Sequence, residues 1–506
     1  MTLARTWSVG LVGVHGAMVE IEVDMAMGVP GVVLVGLPDT VVRQSVDRVR
    51  AAISNAGATW PQRRITIGLS PASMPKQGSG FDLAVAAGVL AATGTVPAPA
   101  VEGLVLLGEL GLDGSVRGIR GVLPAVLAAA RAGHGQVVVP PANADEAALV
   151  AGIEVLAAPT LGSLVDHLTG GPPLRPHVRG PVPPPKPGPD LGDVVGQTAG
   201  RRAVEVAAAG GHHLFLTGPP GAGKTMLAER LPGLLPPLDD EDALEVTAIH
   251  SIAGTLPVGA PLITRPTFES PHHSASLVAL VGGGSGHIRP GAVCRAHRGV
   301  LFLDEAPEFP RSVLDTLRQP LEKGEVTIQR ASGSATFPCR AQLVLAANPC
   351  PCASPSGDTA CTCSALERRR YQSRLSGPLL DRIDLRVDLP PVTRAAWLDA
   401  LGTPESTATV AARVATARAA AAERLRGSGL RLNAHVPGRL LRERWPIPRA
   451  ALTLVERALE RGAISVRGFD RVLRVAWTLS DLAGRTVPGA DELAEALGMR
   501  LQRAAA

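Results

Sequence analysis

The residues best spaced for chemistry lie in GPPGAGKT, residues 218–225 of a 506-residue chain. Gly218, Gly221 and Gly223 are set among the small or rigid Pro219, Pro220 and Ala222, and Lys224, Thr225 and Met226 follow at once. Glycines so placed let backbone N–H groups close around phosphate, Lys224 reaches the outer phosphates, and the Thr225 hydroxyl serves Mg²⁺. Two further stretches complete a hydrolytic set. GVLFLDE, residues 299–305, ends an apolar run in two carboxylates. Asp304 suits the Mg²⁺ shell, and Glu305 suits orienting and polarising a water. LVLAAN, residues 343–348, ends on Asn348, positioned to order that water. The chemistry implied is hydrolysis of a nucleoside triphosphate, with ATP and Mg²⁺ as cofactors.

A second cluster follows directly. In NPCPCASPSGDTACTC, residues 348–363, the spacing C-x-C-x₈-C-x-C brings together Cys350, Cys352, Cys361 and Cys363. Four thiolates in a short Gly/Pro/Ser loop could satisfy a structural, tetrahedral Zn²⁺, although the spacing is tighter than the common C-x₂-C pattern. Reduced thiols without metal are the alternative, and disulfides are disfavoured in a reducing compartment. The isolated Cys294 and Cys339 read as small buried hydrophobes. The adjacent pairs His212–His213 and His272–His273 lack i, i+4 spacing and read as local hydrogen-bonding groups.

These side chains need elements to hold them. LFLT before the glycine loop and MLAERLPGLL after it give strand, loop and helix, and two more strands end at Asp304-Glu305 and Asn348. Residues 191–390 therefore read as a parallel sheet with crossover helices. Residues 1–170 alternate strand-like runs (VVLVGLP, RITIGLS, LVLLGEL, QVVVP) with helical ones (TVVRQSVDRVRAAISNAG, LPAVLAAARAG), a mixed α/β domain. Residues 171–190 form a Pro-rich extended linker, and residues 391–506 are rich in Ala, Arg and Leu and helical throughout.

Composition narrows the classes. A 45 % hydrophobic, 19 % charged chain is globular. The net charge of +5 rests on arginine, since lysine occurs only at Lys76, Lys186, Lys224 and Lys323. That balance permits a polyanionic partner without demanding one. The chain lacks a secretory start, and its most membrane-like stretch, residues 83–101, is diluted by Ala, Gly and Thr and broken by prolines. A buried helix and turn is expected there, and a soluble, cytoplasmic protein with no membrane partner.

GPPGAGKT, VLFLDE, AANP and LSGPLLDRIDL together resemble an AAA+ ATPase of the magnesium-chelatase-like branch. Residues 270–305 resemble that branch's helix-2 insertion, and residues 321–340 a hairpin that in such proteins projects toward a central pore. Residues 464–484 resemble its helical lid. The resemblance implies an arginine finger at Arg382 and a sensor-2 arginine at Arg467, with Arg374 a second trans-acting candidate. A surface salt bridge is the alternative for either arginine. Residues 72–88 and 115–143 resemble the proteolytic domain of the Lon family, but Gly80 and Leu123 stand where that family carries its Ser and Lys. A substitute Ser79–Lys76 pair would need opposed geometry.

The whole chain resembles the ComM/YifB family. The fold class implied is α/β: a Lon-protease-like (ribosomal protein S5 domain 2-like) α+β domain lacking its dyad, an AAA+ P-loop NTPase core and a C-terminal helical lid. The function implied is a homo-hexameric ring that translocates on branched or single-stranded DNA and drives branch migration. Arg289, Arg295, Arg298 and Arg330 are candidates for the phosphate backbone. With only 3 % aromatics, backbone tracking fits better than base stacking. The rivals are a magnesium-chelatase-like motor subunit remodelling a protein partner and, third, an ATP-dependent protease.

Overall fold

A long antiparallel hairpin, Thr2–Val12 against His15–Ala26, organises the first domain. It belongs to a seven-stranded sheet in the order Gly31–Val35, Arg64–Ser70, His15–Ala26, Thr2–Val12, Leu104–Leu106, Gln136–Val139, Glu154–Ala157. The four strand-like runs read from the sequence are all present in it; the opening hairpin was not read as such. Its buried side explains the omission. Ala4, Thr6 and Ser8 point inward while Leu3 and Arg5 face out, so the usual period-two hydrophobicity is inverted. Helix Asp82–Ala92 packs on this hairpin so closely that a Cβ on Gly88 would lie 2.8 Å from Val23 of the second strand, and Thr6 Oγ1 of the first donates to the Ala84 carbonyl at 3.0 Å. Every residue of that helix is buried, as expected for the apolar stretch it carries. No helix among the described residues is long and apolar enough to cross a membrane.

The computed structural model describes residues 2–181, 187–284, 288–330, 333–354, 361–392 and 404–501. Residues 182–186 of the Pro-rich linker, with Lys186, lie outside them, as do 285–287 in the insertion, 331–332 in the hairpin, 355–360 between the cysteines and 393–403 at the start of the C-terminal segment. The described part of the linker is extended but pinned. His177 N donates to Val155 O at 2.7 Å, its ring meets Asp145 at 2.8 Å, and Arg179 reaches Ala260 O.

The second domain is a five-stranded parallel sheet in the order Phe268–Glu269, Val300–Leu303, Gln342–Ala347, Leu214–Thr217, Leu385–Asp388. Both faces are covered, so its strands read as continuous apolar runs. Leu214, Leu216, Phe302 and Val344 enter one core together with Val472, Ala476 and Trp477 of the C-terminal helices. Phe215, Leu301, Leu303 and Leu345 enter another, with Val326, Ile328 and Phe337 of the hairpin Glu325–Arg330/Gly333–Pro338. This is the parallel sheet with crossover helices expected for residues 191–390. Beyond Asp388 the described residues form helices only.

Three arginines of helix Thr407–Arg424 are tied to neighbouring elements and not left to solvent. Arg413 pairs with Glu205 and Glu405, Arg418 donates to Ala208 O, and Arg424 pairs with Asp481 while lying 4.3 Å from the Trp477 ring centre. These arginines fasten the helix to its neighbours. Burial brings the Arg418 pKa down to about 10.

The two domains touch through a helix and a hairpin of the second. Ser251 of helix Asp240–Ala253 donates to Glu146, and at Gly13, in the turn of the opening hairpin, a Cβ would lie 2.3 Å from the Thr336 carbonyl oxygen.

Candidate functional site

Parallel strands place the residues that follow them on one edge of the sheet. Strand Leu214–Thr217 delivers the glycine loop there, and Gly221 and Gly223 adopt φ of 77° and 83°, which glycine tolerates and other residues rarely do. A Cβ on Gly218 would meet the Leu389 carbonyl oxygen at 2.6 Å. Ala222 is buried beneath the loop, and Met226 is half exposed on the first turn of helix Lys224–Leu234. The N–H groups at that helix's start form a ready anion site.

Lys224 is 8 % exposed, and its ammonium donates to Gly218 O at 2.6 Å, Pro219 O at 2.9 Å and Asn348 Oδ1 at 3.1 Å. Burial lowers its pKa, and the carboxylates of Asp304 and Glu305 oppose the shift. Thr225 Oγ1 donates to Asp304 Oδ2 at 2.9 Å, so a hydroxyl and a carboxylate meet where Mg²⁺ would be held. Glu305 adopts a left-handed φ of 49°, two residues past the end of strand Val300–Leu303. That strained backbone turns its carboxylate out to solvent, 52 % exposed. The five side chains named from sequence as the hydrolytic set converge on this carboxyl edge, and their donor chemistry fits a Mg²⁺-bound triphosphate.

Two neighbours went unrecognised in the sequence. His273 Nδ1 lies 3.4 Å from Glu305 Oε2, and its ring sits 4.0 Å from that of His272. His272 bonds locally to Ser274, as expected. Tyr371, the chain's single tyrosine, is buried against the backbone of Asn348, and burial pushes its phenol up to about 12. Nothing in local spacing marks either residue; only the fold brings them in.

Two of the three candidate trans-acting arginines are elsewhere. Arg382 precedes strand Leu385–Asp388, so it sits on the amino edge, which four residues at about 3.3 Å each separate from the loop by roughly 13 Å. Its guanidinium pairs with Glu322 and donates to Pro378 O at 2.6 Å. Arg467, 77 % exposed at the start of helix Val466–Leu482, lies 3.7 Å from Asp381 and lines the same pocket as Arg382. Arg374 is separate from both. It donates to Pro307 O and Glu308 on the carboxyl edge, just past Glu305.

Beneath the amino edge, Asp384 is buried with Arg471 and the Nδ1 of His212, whose Nε2 bonds to Thr478. Those partners hold its carboxyl well below the ordinary range against the cost of burial. His213 Nδ1 accepts from Leu343 N at 3.0 Å, and burial lowers this imidazole to about 4. Two of the arginines expected on a DNA path prove to be partly buried and ion-paired. Arg295 pairs with Glu269 and Arg298 with Asp242, both at 2.8 Å, whereas Arg289 and Arg330 are exposed.

The cysteines close the loop between Asn348 and helix Ala365–Gln372, which carries Tyr371. Sγ of Cys350 lies 3.2 Å from that of Cys352 and 3.3 Å from that of Cys361, and all four sulfurs, with Cys363, fall within 4.8 Å of one another. This donor set fits a tetrahedral thiolate site. Burial pushes Cys350 up to about 12, while the hydrogen bond from Cys350 draws Cys352 down to about 6. None of the six cysteines is in a disulfide, and Cys294 and Cys339 are buried as expected.

The substitute protease pair is not assembled. Ser79 Oγ donates to Glu109, and the buried ammonium of Lys76 donates to Pro71 O.

Three family descriptions match the chain: "Magnesium chelatase, subunit ChlI" over residues 190–397, "Subunit ChlI of Mg-chelatase" over 21–143, and "Magnesium chelatase, subunit ChlI C-terminal" over 404–500. An uncharacterized protein of Mycobacterium tuberculosis is 57 % identical over 99 % of both chains. Competence protein ComM of Haemophilus influenzae is 40 % identical over 99 % of this chain and 98 % of its own. The uncharacterized protein YifB of Escherichia coli is 40 % identical over 99 % and 97 %. A shorter similarity, 29 % over 136 residues, joins the chain to Lon protease 2 of Bacillus subtilis.

Proposed function

We propose, from the premise that the chain belongs to the ComM/YifB family of magnesium-chelatase-like AAA+ ATPases, that it is a ring motor acting on DNA. The observation that carries this reading is the split between the edges of one sheet. Lys224, Thr225, Asp304, Glu305 and Asn348 meet at the carboxyl edge, and Arg382 and Arg467 lie at the amino edge. Head-to-tail copies in a closed ring, a homo-hexamer on this reading, bring one copy's arginines to the next copy's nucleotide. Glu305 then orients and deprotonates the attacking water, Asn348 orders it, and Arg382 offsets the charge that develops on the transferred phosphoryl group. Mg²⁺ held by Thr225 and Asp304 supplies neutralising charge at the phosphate oxygens.

DNA as the track is supported by the full-length similarity to a protein named for competence and by the exposed Arg289 and Arg330 on the insertion and hairpin. Branch migration that promotes DNA integration in transformation or recombination is the activity this reading assigns. The four cysteines form its structural Zn²⁺ site, and the first domain is a Lon-like fold without a dyad. A magnesium-chelatase-like motor working on a protein partner is the second reading, favoured by the three matched stretches described as chelatase subunit.

ATP hydrolysis measured with and without branched or single-stranded DNA separates the two. DNA should stimulate the rate, and binding should weaken steeply with salt. Absence of DNA binding even at low salt overturns the DNA reading and leaves the protein-partner motor.

A further inference from the structure

Helix Val466–Leu482 carries three arginines on one stripe, Arg467, Arg471 and Arg474, at the i, i+4, i+7 spacing that aligns side chains along a helix face. The first pairs with Asp381 and the second with Asp384. Arg474 pairs with none of the described residues. Among the described residues its guanidinium makes neither an ion pair nor a hydrogen bond, and its Nε is fully buried. Other arginines around it also bury Nε, but each sets a terminal nitrogen on a carboxylate: Arg298 on Asp242, Arg382 on Glu322, Arg471 on Asp384. Burial lowers the Arg474 pKa, and Asp384, the carboxylate that opposes this, is already engaged twice.

A half-buried cation without a counter-charge is costly, and the cost is relieved by an anion brought from outside. The surroundings suit one. Arg382, Arg467, Arg471 and Arg474 bound a 240 Å³ pocket together with Glu322, Asp381 and Asp470, the first two paired to Arg382 and Arg467 and the third to Arg442, and it adjoins a 660 Å³ cleft also lined by Arg340 and Arg431. An extended nucleic-acid backbone presents its charge one phosphate at a time along a groove. Guanidiniums gathered around one pocket suit a compact polyphosphate with several oxygens.

We infer that Arg474 is a third trans-acting arginine, which binds the triphosphate held by the phosphate loop of a neighbouring copy. This rests on the ring reading above. It differs from the other two positions in kind. Arg382 and Arg467 have carboxylates to leave, whereas Arg474 is already free, so it engages without breaking a pair.

The test is subunit mixing. Arg474→Ala should keep ATP binding at its own loop, followed with a fluorescent ATP analogue, but lose about 10²-fold in hydrolysis. Mixed with Lys224→Ala, which binds no phosphate yet keeps Arg474, it should regain activity, because roughly a quarter of interfaces in random head-to-tail rings then pair an intact loop with an intact arginine. Arg474→Lys should recover part of the rate by itself. Should Arg474→Ala fail to fold, Arg474→Gln takes its place in the same mixing.

Arg382→Ala mixed with Lys224→Ala is run in parallel. Recovery for that pair without recovery for Arg474 overturns this inference alone, since a structural role loses activity that mixing cannot return. Wild-type hydrolysis by the Arg474 variants overturns it equally. No recovery for either pair overturns the ring reading, and this inference with it.

Discussion

The two edges of the central sheet are built by opposite strategies. At the carboxyl edge, short contiguous motifs end three neighbouring strands, so Lys224, Thr225, Asp304, Glu305 and Asn348 meet by pairing register alone. At the amino edge, His212, Arg382 and Asp384 are brought together by two paired strands, but Arg471 and Arg474 join them only because the C-terminal helices pack on the sheet. The first edge is a sequence property and the second a packing property. The carboxyl edge should therefore respond to mutation in rate, and the amino edge in stability as well as rate.

The sharpest way to break that contrast is at Glu305. Glu305→Gln removes the base while keeping size and hydrogen bonding, so ATP hydrolysis should fall about 10³-fold with ATP affinity and melting temperature unchanged. A destabilised variant would show that the carboxyl edge also carries packing. Asp384→Asn is its counterpart. It strips the counter-charge from Arg471 in a site where the carboxyl is 2 % exposed, and unfolding midpoints in denaturant should report a loss of about 3–5 kcal/mol.

Acid should find the same edge. Asp384 has a folded pKa below its unfolded value of about 3.9, so its contribution is complete above that value and is lost as pH falls below it. His213 acts earlier. Its folded pKa of about 4 lies below the unfolded value of about 6.5, so between those limits the unfolded chain holds more protons and stability declines on acidification. Unfolding midpoints that stay flat from pH 7 to 4.5 would refute this, and His213→Gln should reduce that slope in part, because burial also brings His435 down to about 4 and lowers His250.

The cysteine clasp should give a smaller effect. Purified protein should contain about one equivalent of Zn²⁺ per chain, lost in Cys352→Ser, with a lowered melting temperature and a modest fall in hydrolysis through Asn348 and Tyr371. Protein free of zinc at full stability would make the thiols merely reduced. The smallest effect belongs to Ser79→Ala. With Lys76 committed to Pro71 O and Ser79 to Glu109, protein-degradation assays should read the same for variant and wild type.

How far sequence carried the reading follows from the same contrast. The phosphate loop, the carboxylate pair and Asn348 were legible because each motif contains its own strand end or helix start. The four strand-like runs of the first domain were legible by their apolar residues. Its opening hairpin was not, because Ala4, Thr6 and Ser8 form the buried side and the close helix leaves room for nothing larger. Arg382 and Arg467 were named by resemblance, but only the strand directions put them across the sheet from the loop. His273, Tyr371 and Arg474 lie far along the chain from the groups they approach, and no local pattern could have reached them. Arg295 and Arg298 looked like free cations on a basic stretch, since ion pairing with Glu269 and Asp242 is invisible before folding.

The turn at Gly13 has a mechanical meaning. With only hydrogen between that backbone and the carbonyl of Thr336, the first domain rests on the hairpin like a rider on a cam, with no side chain to cushion the joint. A stroke of the hairpin would be passed undamped into the opening strands. The first domain would then serve as ballast and lever, and a single methyl group at position 13 would be enough to throw it out of gear.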